Sequence, residues 1–269
     1  EHNRTLGEEG LARLAKNLPR EQRRVRFHGD LIDLKGVIFP GVKEKPAWWC
    51  FRCEDTTYPA GGACSRCAST GIAPYCHVWD DQDMDWPGPA DWPTVFTMDP
   101  HQARPCVAAW FKVDPRDQWW QIGGMEIPGD ASVVKRRVEE FEATHRVRVV
   151  VRKGDPKITK QGNQYATTHE GQDFNIRRAF EEVGFDFEDA NTNFTVGRQR
   201  VLDALKVNPL TKAPRLRIHA TCTAMRYQLT RFTWTPRRGE GTATKEDPSK
   251  RHSDHPACLR YFVMDDWDW

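Results

Sequence analysis

Thr94-Val-Phe-Thr-Met-Asp99-Pro100 is followed by two further runs, Cys106-Val-Ala-Ala-Trp-Phe-Lys-Val113 and Trp119-Trp-Gln-Ile-Gly-Gly-Met-Glu-Ile127. Each run is short, apolar and rich in β-branched or aromatic residues, the pattern of a strand. Asp99-Pro100 ends the first, and Asp114-Pro115-Arg116-Asp117 supplies the turn between the second and third. Three such strands form a meander, and the rest of the domain is read outward from it. Downstream, Ala131 to Thr144 predicts a helix. Val147 to Val151 predicts a short buried strand that Gly154-Asp155-Pro156 ends. Residues 156–172 are polar and contain glycine, which predicts an extended loop or hairpin. Helices are predicted at 173–183, 195–206 and 221–231, a charged loop at 236–253, and a last helix from about His255 to Met264. The fold class is α/β, a mixed sheet flanked by helices.

Upstream of the strands the texture differs. Residues 5–17 predict a helix, with Thr5 and Glu8 as a capping box, and Arg20 to Phe27 a second short one behind Pro19. Leu31 to Pro40 reads as a strand or arm. Next come Cys50-Phe-Arg-Cys53, ten intervening residues, and Cys64-Ser-Arg-Cys67. Two C-x-x-C knuckles at this spacing can set four thiolates around one Zn²⁺. The residues between them are polar and turn-prone, so a metal must hold the segment. Four cysteine ligands leave no open position, which makes the zinc structural rather than catalytic. Cys76-His77 is an alternative source of one ligand. An acidic stretch rich in Pro and Trp, Asp80 to Pro93, follows. The predicted division is a helical arm at 1–45, a zinc-binding module at 46–79, a linker at 80–93 and the α/β domain at 94–269.

The composition suits a soluble globular protein: 269 residues, 38% hydrophobic, 29% charged. A net charge of +2 gives no global field toward nucleic acid. Basic residues are nonetheless clustered, early at Lys16, Arg20, Arg23, Arg24 and Arg26, and late at Arg215, Arg217, Arg237, Arg238, Lys250 and Arg251. Of the eight cysteines, the four outside the knuckles stand singly, which favours reduced thiols and a cytosolic setting. No apolar run reaches membrane-spanning length, and no secretory signal opens the chain. The chain begins at Glu1 without a methionine, as a fragment or a processed product would.

Three aspartates stand at element ends: Asp99 after the first strand, Asp155 after the fourth, and Asp254 at the start of the last helix. In an α/β sheet such ends converge on one crevice. Three carboxylates there are costly unless divalent cations fill the pocket. Mg²⁺ and Mn²⁺ suit oxygen ligands and phosphoryl chemistry. The competing reading is that Asp-Pro is a common turn and Asp at a helix start a common cap. Both readings stand on spacing alone.

The order of elements is that of a ribonuclease H-like domain. Thr94 to Phe111 also resembles the opening of the nuclease domain of tailed-phage large terminases. Ser253-Asp254-His255-Pro-Ala-Cys-Leu-Arg260-Tyr261 resembles that family's Asp-His-x-x-Asp-Ala-Leu-Arg-Tyr motif. Gly154-Asp155-Pro156, Leu216 to Pro236, and Leu6 to Pro40 resemble further family segments in the right order. The resemblance implies that Asp99, Asp155 and Asp254 bind two Mg²⁺ or Mn²⁺ ions, with Asp99 bridging, and that the chain cuts concatemeric double-stranded viral DNA. Cys258 departs from the motif's later Asp. Glu126 is a rival or fourth ligand, because some members use Glu for the second acid. Asp173 is a further outsider. His255 could orient the scissile phosphate or be a helix-end histidine with its bonds satisfied.

The resemblance further implies the terminase small subunit and the portal as partners and the bacterial host cytoplasm as the setting. An ATPase motor precedes the nuclease in the family, whereas no G-x-x-x-x-G-K-[ST] occurs here, so this chain corresponds to the C-terminal part. The zinc module is not a standard part of that pattern, and structural support and DNA contact both remain open as its role. Lys157 and Lys160, and Arg237, Arg238, Lys245, Lys250 and Arg251, lie on loops beside the aspartates. They are backbone contacts for DNA or simply solvated charges. Two other functions compete: a transposase- or resolvase-type nuclease of the same fold, and a zinc-dependent DNA- or protein-binding module on an inactive scaffold.

Overall fold

The computed structural model describes residues 37–101, 104–156, 176–235 and 248–267. The chain divides into Glu1–Val37 and Ile38–Trp269, and the described architecture belongs to the second unit. The helices expected at 5–17 and 20–27 and most of the loops at 156–172 and 236–253 lie outside the described residues, as does Asp173.

The three expected strands form as read: β7 (Thr94–Asp99), β8 (Cys106–Val113) and β9 (Trp119–Ile127), antiparallel neighbours at the centre of a seven-stranded sheet. β10 (Val149–Gly154) runs parallel to β7, and β11 (Glu188–Asp189) parallel to β10. On the other side β12 (Leu216–His219) runs parallel to β9, and β6 (Val78–Trp79) parallel to β12. The order across the sheet is therefore β11-β10-β7-β8-β9-β12-β6. An antiparallel meander flanked by parallel strands, with helices on both faces, is the ribonuclease H-like arrangement.

Period-two alternation divides the core between the faces. Val95, Val107, Ala109 and Phe111 face one helical layer: α3 (Phe194–Ala204), α4 (Thr223–Leu229) and α5 (Asp254–Phe262). Phe96, Met98, Ala108 and Trp110 face the other: α1 (Ala131–Thr144) and α2 (Ile176–Glu182). The turn before β9 is built by Asp114, whose carboxylate accepts from Arg116 N and Gln118 N, each at 2.8 Å. Asp130 caps α1 by accepting from Ser132 N and Val133 N, so two of the orphan amides at the helix start are satisfied. Val134 and Val138, one turn apart, are the residues α1 buries.

The fourth strand begins later and runs further than its valines suggested. Val147 is used to close α1, donating its N–H to Glu142 O at 2.8 Å. At the other end Arg152 and Lys153 continue the strand because their charges are paired. Arg152 donates to both Glu142 oxygens at 2.7 and 2.6 Å. Lys153 Nζ lies 2.9 Å from Glu188 and 3.0 Å from Asp265.

The cysteine segment forms a small sheet of its own. β1 (Ala47–Cys50) pairs antiparallel with β2 (Asp55–Thr57) and β5 (Ile72–Tyr75), and β3 (Pro59–Ala60) and β4 (Ala63–Cys64) make a hairpin through Gly61-Gly62. From β5 the chain passes through His77 directly into β6, the edge of the main sheet. His77 is fully buried. Its Nδ1 accepts from Lys43 N at 2.9 Å and its Nε2 donates to Leu205 O at 3.0 Å. The acidic linker lies against the sheet, with Trp86 Nε1 donating to Ile122 O at 2.8 Å.

Candidate metal centres

Asp99 ends β7. Val95 belongs to the α5 face and Phe96 and Met98 to the opposite one, so alternation turns Asp99 toward α5. Met98 is opposite Gly154 on β10, which brings Asp155, one residue on, level with Asp99. On the other side Asp99 pairs with Val107, and Val107 with Glu126. Glu126 is therefore two strand spacings, roughly 10 Å, from Asp99. Above this row sits the start of α5. His255 donates its backbone N–H to Gln228 Oε1 at 3.0 Å, which supplies one N-terminal amide with a partner. Asp254, the first residue of α5, places its carboxylate at the positive end of the helix dipole.

A crevice at the end of β7 and the start of α5 brings Asp99 and Asp254 together with His101, all within 4.8 Å, whereas Asp155, one residue past β10, is not in that group. Asp155 is oriented by Tyr261, whose hydroxyl donates to Oδ2 at 3.0 Å. Burial pushes the Asp99 carboxyl upward; His101 opposes that, and the charges of Asp254 and Asp155 add to it. Burial also acts on Asp254, but the His101 bond and the Arg104 charge outweigh it and hold that carboxyl below its ordinary value. Both cations were missed in the sequence. His101 Nε2 lies 3.4 Å from Asp99 Oδ2 and 3.8 Å from Asp254 Oδ1. Arg104 Nη1 lies 3.1 Å from Asp254 Oδ2. Burial alone would lower the His101 pKa, yet its bonds to Asp254 and Asp99 raise it to about 9. Sequence proximity was the one signal available, His101 standing two residues after Asp99 and past the end of β7. A cavity of about 590 Å³ opens beside the crevice, with His101, Arg104, Pro128, Ser132, Ile176 and Phe180 on its walls.

Glu126 and His255 form a separate pair, His255 Nε2 lying 3.4 Å from Glu126 Oε1. Gln228 Nε2 reaches the same oxygen at 3.4 Å. His255 is fully buried, and neither ring nitrogen makes a hydrogen bond. Burial therefore depresses its pKa, with Glu126 and Asp254 opposing. Of the basic loop residues, Lys250 and Arg251 are exposed on the turn that leads into Asp254. Lys157, Lys160, Arg237, Arg238 and Lys245 lie outside the described residues.

The second centre is the cysteine cluster. Cys50 and Cys67 Sγ are 3.6 Å apart, Cys53 and Cys64 Sγ 3.9 Å, and all four sulfurs lie within 4.8 Å of one another. A tetrahedral ion with Zn–S of about 2.3 Å requires sulfurs about 3.8 Å apart, so the donor set fits Zn²⁺. The Thr57 hydroxyl, 3.1 Å from Cys64 Sγ, and Arg66 N, at 3.4 Å, favour a thiolate there. The Thr57 bond is the main cause lowering the Cys64 thiol to about 6, while its bond to Cys67 pushes Cys53 up to about 12. Cys76 Sγ contacts Lys43 O at 3.5 Å and His77 is used on both nitrogens; the cluster does not include them. The donor set gathered within 4.8 Å at the other centre is Asp99, His101 and Asp254, two carboxylates beside an imidazole, which fits a divalent cation.

An α/β protein of ribonuclease H-like architecture, with carboxylates gathered at strand ends, is the class to which these features belong. Among solved structures, the chain is similar to the large terminase of a thermophilic bacteriophage. In the complex of that protein with ATP-gamma-S, the identity is 13% over 70% of this chain and 42% of that one, with a TM-score of 0.51. A second crystal form of the same protein gives 12% over 70% and 41%, TM-score 0.50. The large terminase nuclease domain of P22 matches at 13% identity over 71% of this chain and 86% of that one, TM-score 0.48. The match spans less than half of the thermophilic phage protein, and at this identity the likeness is one of fold. No family model and no curated protein matches the chain. Among the described residues, no helix is long and apolar enough to cross a membrane.

Proposed function

We propose that this chain is the nuclease part of a phage large terminase, and that it hydrolyses phosphodiesters of concatemeric double-stranded DNA. The observation that carries the reading is the meeting of Asp99 and Asp254 at the end of β7 and the start of α5, with Asp155 one residue past the neighbouring strand β10. Asp99, with Asp155 and Asp254, would help hold two Mg²⁺ or Mn²⁺ ions. Cations bound there supply positive charge against the charge that develops on a phosphodiester in its transition state. The chain's own groups do the rest. Tyr261 fixes the rotamer of Asp155. The burial of Asp99 excludes water from one side of the crevice. Arg104, more than half exposed, is free to turn from Asp254 to a phosphate oxygen. Glu126 and His255, set apart from the aspartates, would orient the start of α5 rather than bind cations. Lys250 and Arg251 would track the DNA backbone, with Lys157, Lys160, Arg237 and Arg238 as further contacts.

On this reading 46–79 is a module held by structural Zn²⁺, 1–45 the arm toward an ATPase part, 80–93 the linker and 94–269 the nuclease. Small subunit, portal and host cytoplasm follow from the same reading. The test is cleavage of supercoiled plasmid in Mg²⁺, Mn²⁺ or EDTA. Asp99→Asn and Asp254→Asn are each expected to lower metal-dependent cleavage at least ~100-fold. Cleavage at the wild-type rate by Asp99→Asn would sink the assignment. One observation favours a silent scaffold that only binds DNA: His101 and Arg104 already pair with the carboxylates. DNA binding by zinc-loaded protein with no cleavage in Mn²⁺ would establish that alternative.

A further inference from the structure

The Asp99 carboxylate is nine-tenths buried, and its one ion-pair partner among the described residues is His101 Nε2 at 3.4 Å. The same nitrogen lies 3.8 Å from Asp254 Oδ1, and one atom of each of the three residues falls within 4.8 Å of the others. An ion with ligand distances of about 2.1 Å holds neighbouring donors about 3.0 Å apart in an octahedron and about 3.4 Å apart in a tetrahedron. The His101 spacings of 3.4 and 3.8 Å exceed the octahedral value by about 0.4 and 0.8 Å, so the side chains must close on the ion by rotamer adjustment. His101 lies two residues past the end of β7, and the measured distances place its ring against both carboxylates. A buried carboxylate, an imidazole and a helix-start carboxylate thus meet at one point.

We propose that His101 Nε2 is a direct ligand of the cation held by Asp99 and Asp254, and that this nitrogen makes the site prefer Mn²⁺ and later transition ions to Mg²⁺. The proposal rests on the reading of this crevice as a cation site. Imidazole suits transition ions, whereas Mg²⁺ keeps to oxygen donors and demands near-ideal octahedral geometry. His101 thereby sets metal choice at a site whose carboxylates alone would accept either ion. In the absence of a cation the same side chain bridges the two aspartates, and Arg104 lies against it directly, Nη2 3.2 Å from His101 Nε2, as well as pairing with Asp254; a bound cation displaces that contact and the Nε2 proton, which leaves to solvent.

The test is Mn²⁺ binding to zinc-loaded protein, followed by titration and by pulsed electron paramagnetic resonance for nitrogen coupling. Wild type is expected to show coupling to an imidazole nitrogen. His101→Ala is expected to lose it and to bind Mn²⁺ about tenfold or more weakly, with Mg²⁺ affinity changed less than about threefold. His101→Gln, closer in volume, guards against a folding defect, and circular dichroism and zinc content confirm that each variant is intact. Mn²⁺ that requires Asp99 but shows no nitrogen coupling overturns the role of His101 and leaves the cation site standing. Mn²⁺ that binds Asp99→Asn as tightly as wild type overturns both.

Discussion

Single residues hold the crevice in shape, and Gly154 is the most exacting. A Cβ at Gly154 would lie 2.4 Å from the ring of Phe187, a buried residue that cannot yield without disturbing the core cluster it belongs to. The next residue is Asp155. Gly154→Ala is expected to cost about 1–3 kcal/mol of stability, as overpacking does, and to lower cleavage by displacing Asp155. Urea denaturation and the plasmid assay measure the two effects, and an unchanged midpoint would refute the first. His77 is the second exacting position. Burial, the leading cause, lowers its pKa from 6.5 to about 4. The unfolded chain therefore binds a proton between these values that the folded chain refuses. The stabilisation is complete above pH 6.5 and is lost as pH falls toward 4, up to about 3 kcal/mol. His77→Gln should flatten stability against pH in that window.

Among the elements, α5 does most to unite the fold with the site. It is buried on nearly every side, from His255 to Phe262, which suits a helix enclosed by the sheet, α3 and α4. One helix thus carries Asp254 at its first turn and Tyr261, the partner of Asp155, two turns later. Tyr261→Phe is expected to leave the fold intact and reduce cleavage about 3–10-fold, the effect of one lost hydrogen bond of about 1 kcal/mol. A loss as large as that of Asp99→Asn would mean that Tyr261 acts in the chemistry itself. The cysteine module depends on its ion instead. Its cluster contains Trp49 and Tyr75 packed on Val207, too little to fold alone. Cys64→Ser is expected to abolish stoichiometric zinc and to shift the fluorescence of Trp48 and Trp49. Zinc retained by that variant would refute a four-cysteine site.

Across the molecule, a net charge of +2 leaves any DNA affinity to local patches. Lys250 and Arg251, four and three residues before Asp254, are the described candidates at the crevice rim. Replacing both with Ala is expected to reduce the salt dependence of DNA binding, log K against log salt, by about 2. The loss should be uniform across DNA sequences, since phosphate contacts position without specifying. An unchanged slope would assign both residues to solvent.

The central meander, α1, α5 and the cysteine cluster were legible in the chain, because each rests on local rules: alternation, capping, turn chemistry and ligand spacing. The meeting of Asp99 and Asp254 was legible too, through their place at element ends. Pairing and packing between distant segments settled the remainder. β6, β11 and β12 are too short to be read alone and exist because the neighbouring strands extend them. Arg152 and Lys153 hid the end of β10, since their strand state depends on Glu142, Glu188 and Asp265. Glu126 was separated from Asp99 by the register of three strands. His101 and Arg104 gained their place only when α5, some 150 residues on, set Asp254 beside them. Local periodicity carries no information about such encounters, which is why the acids were readable in the chain and the cations between them were not.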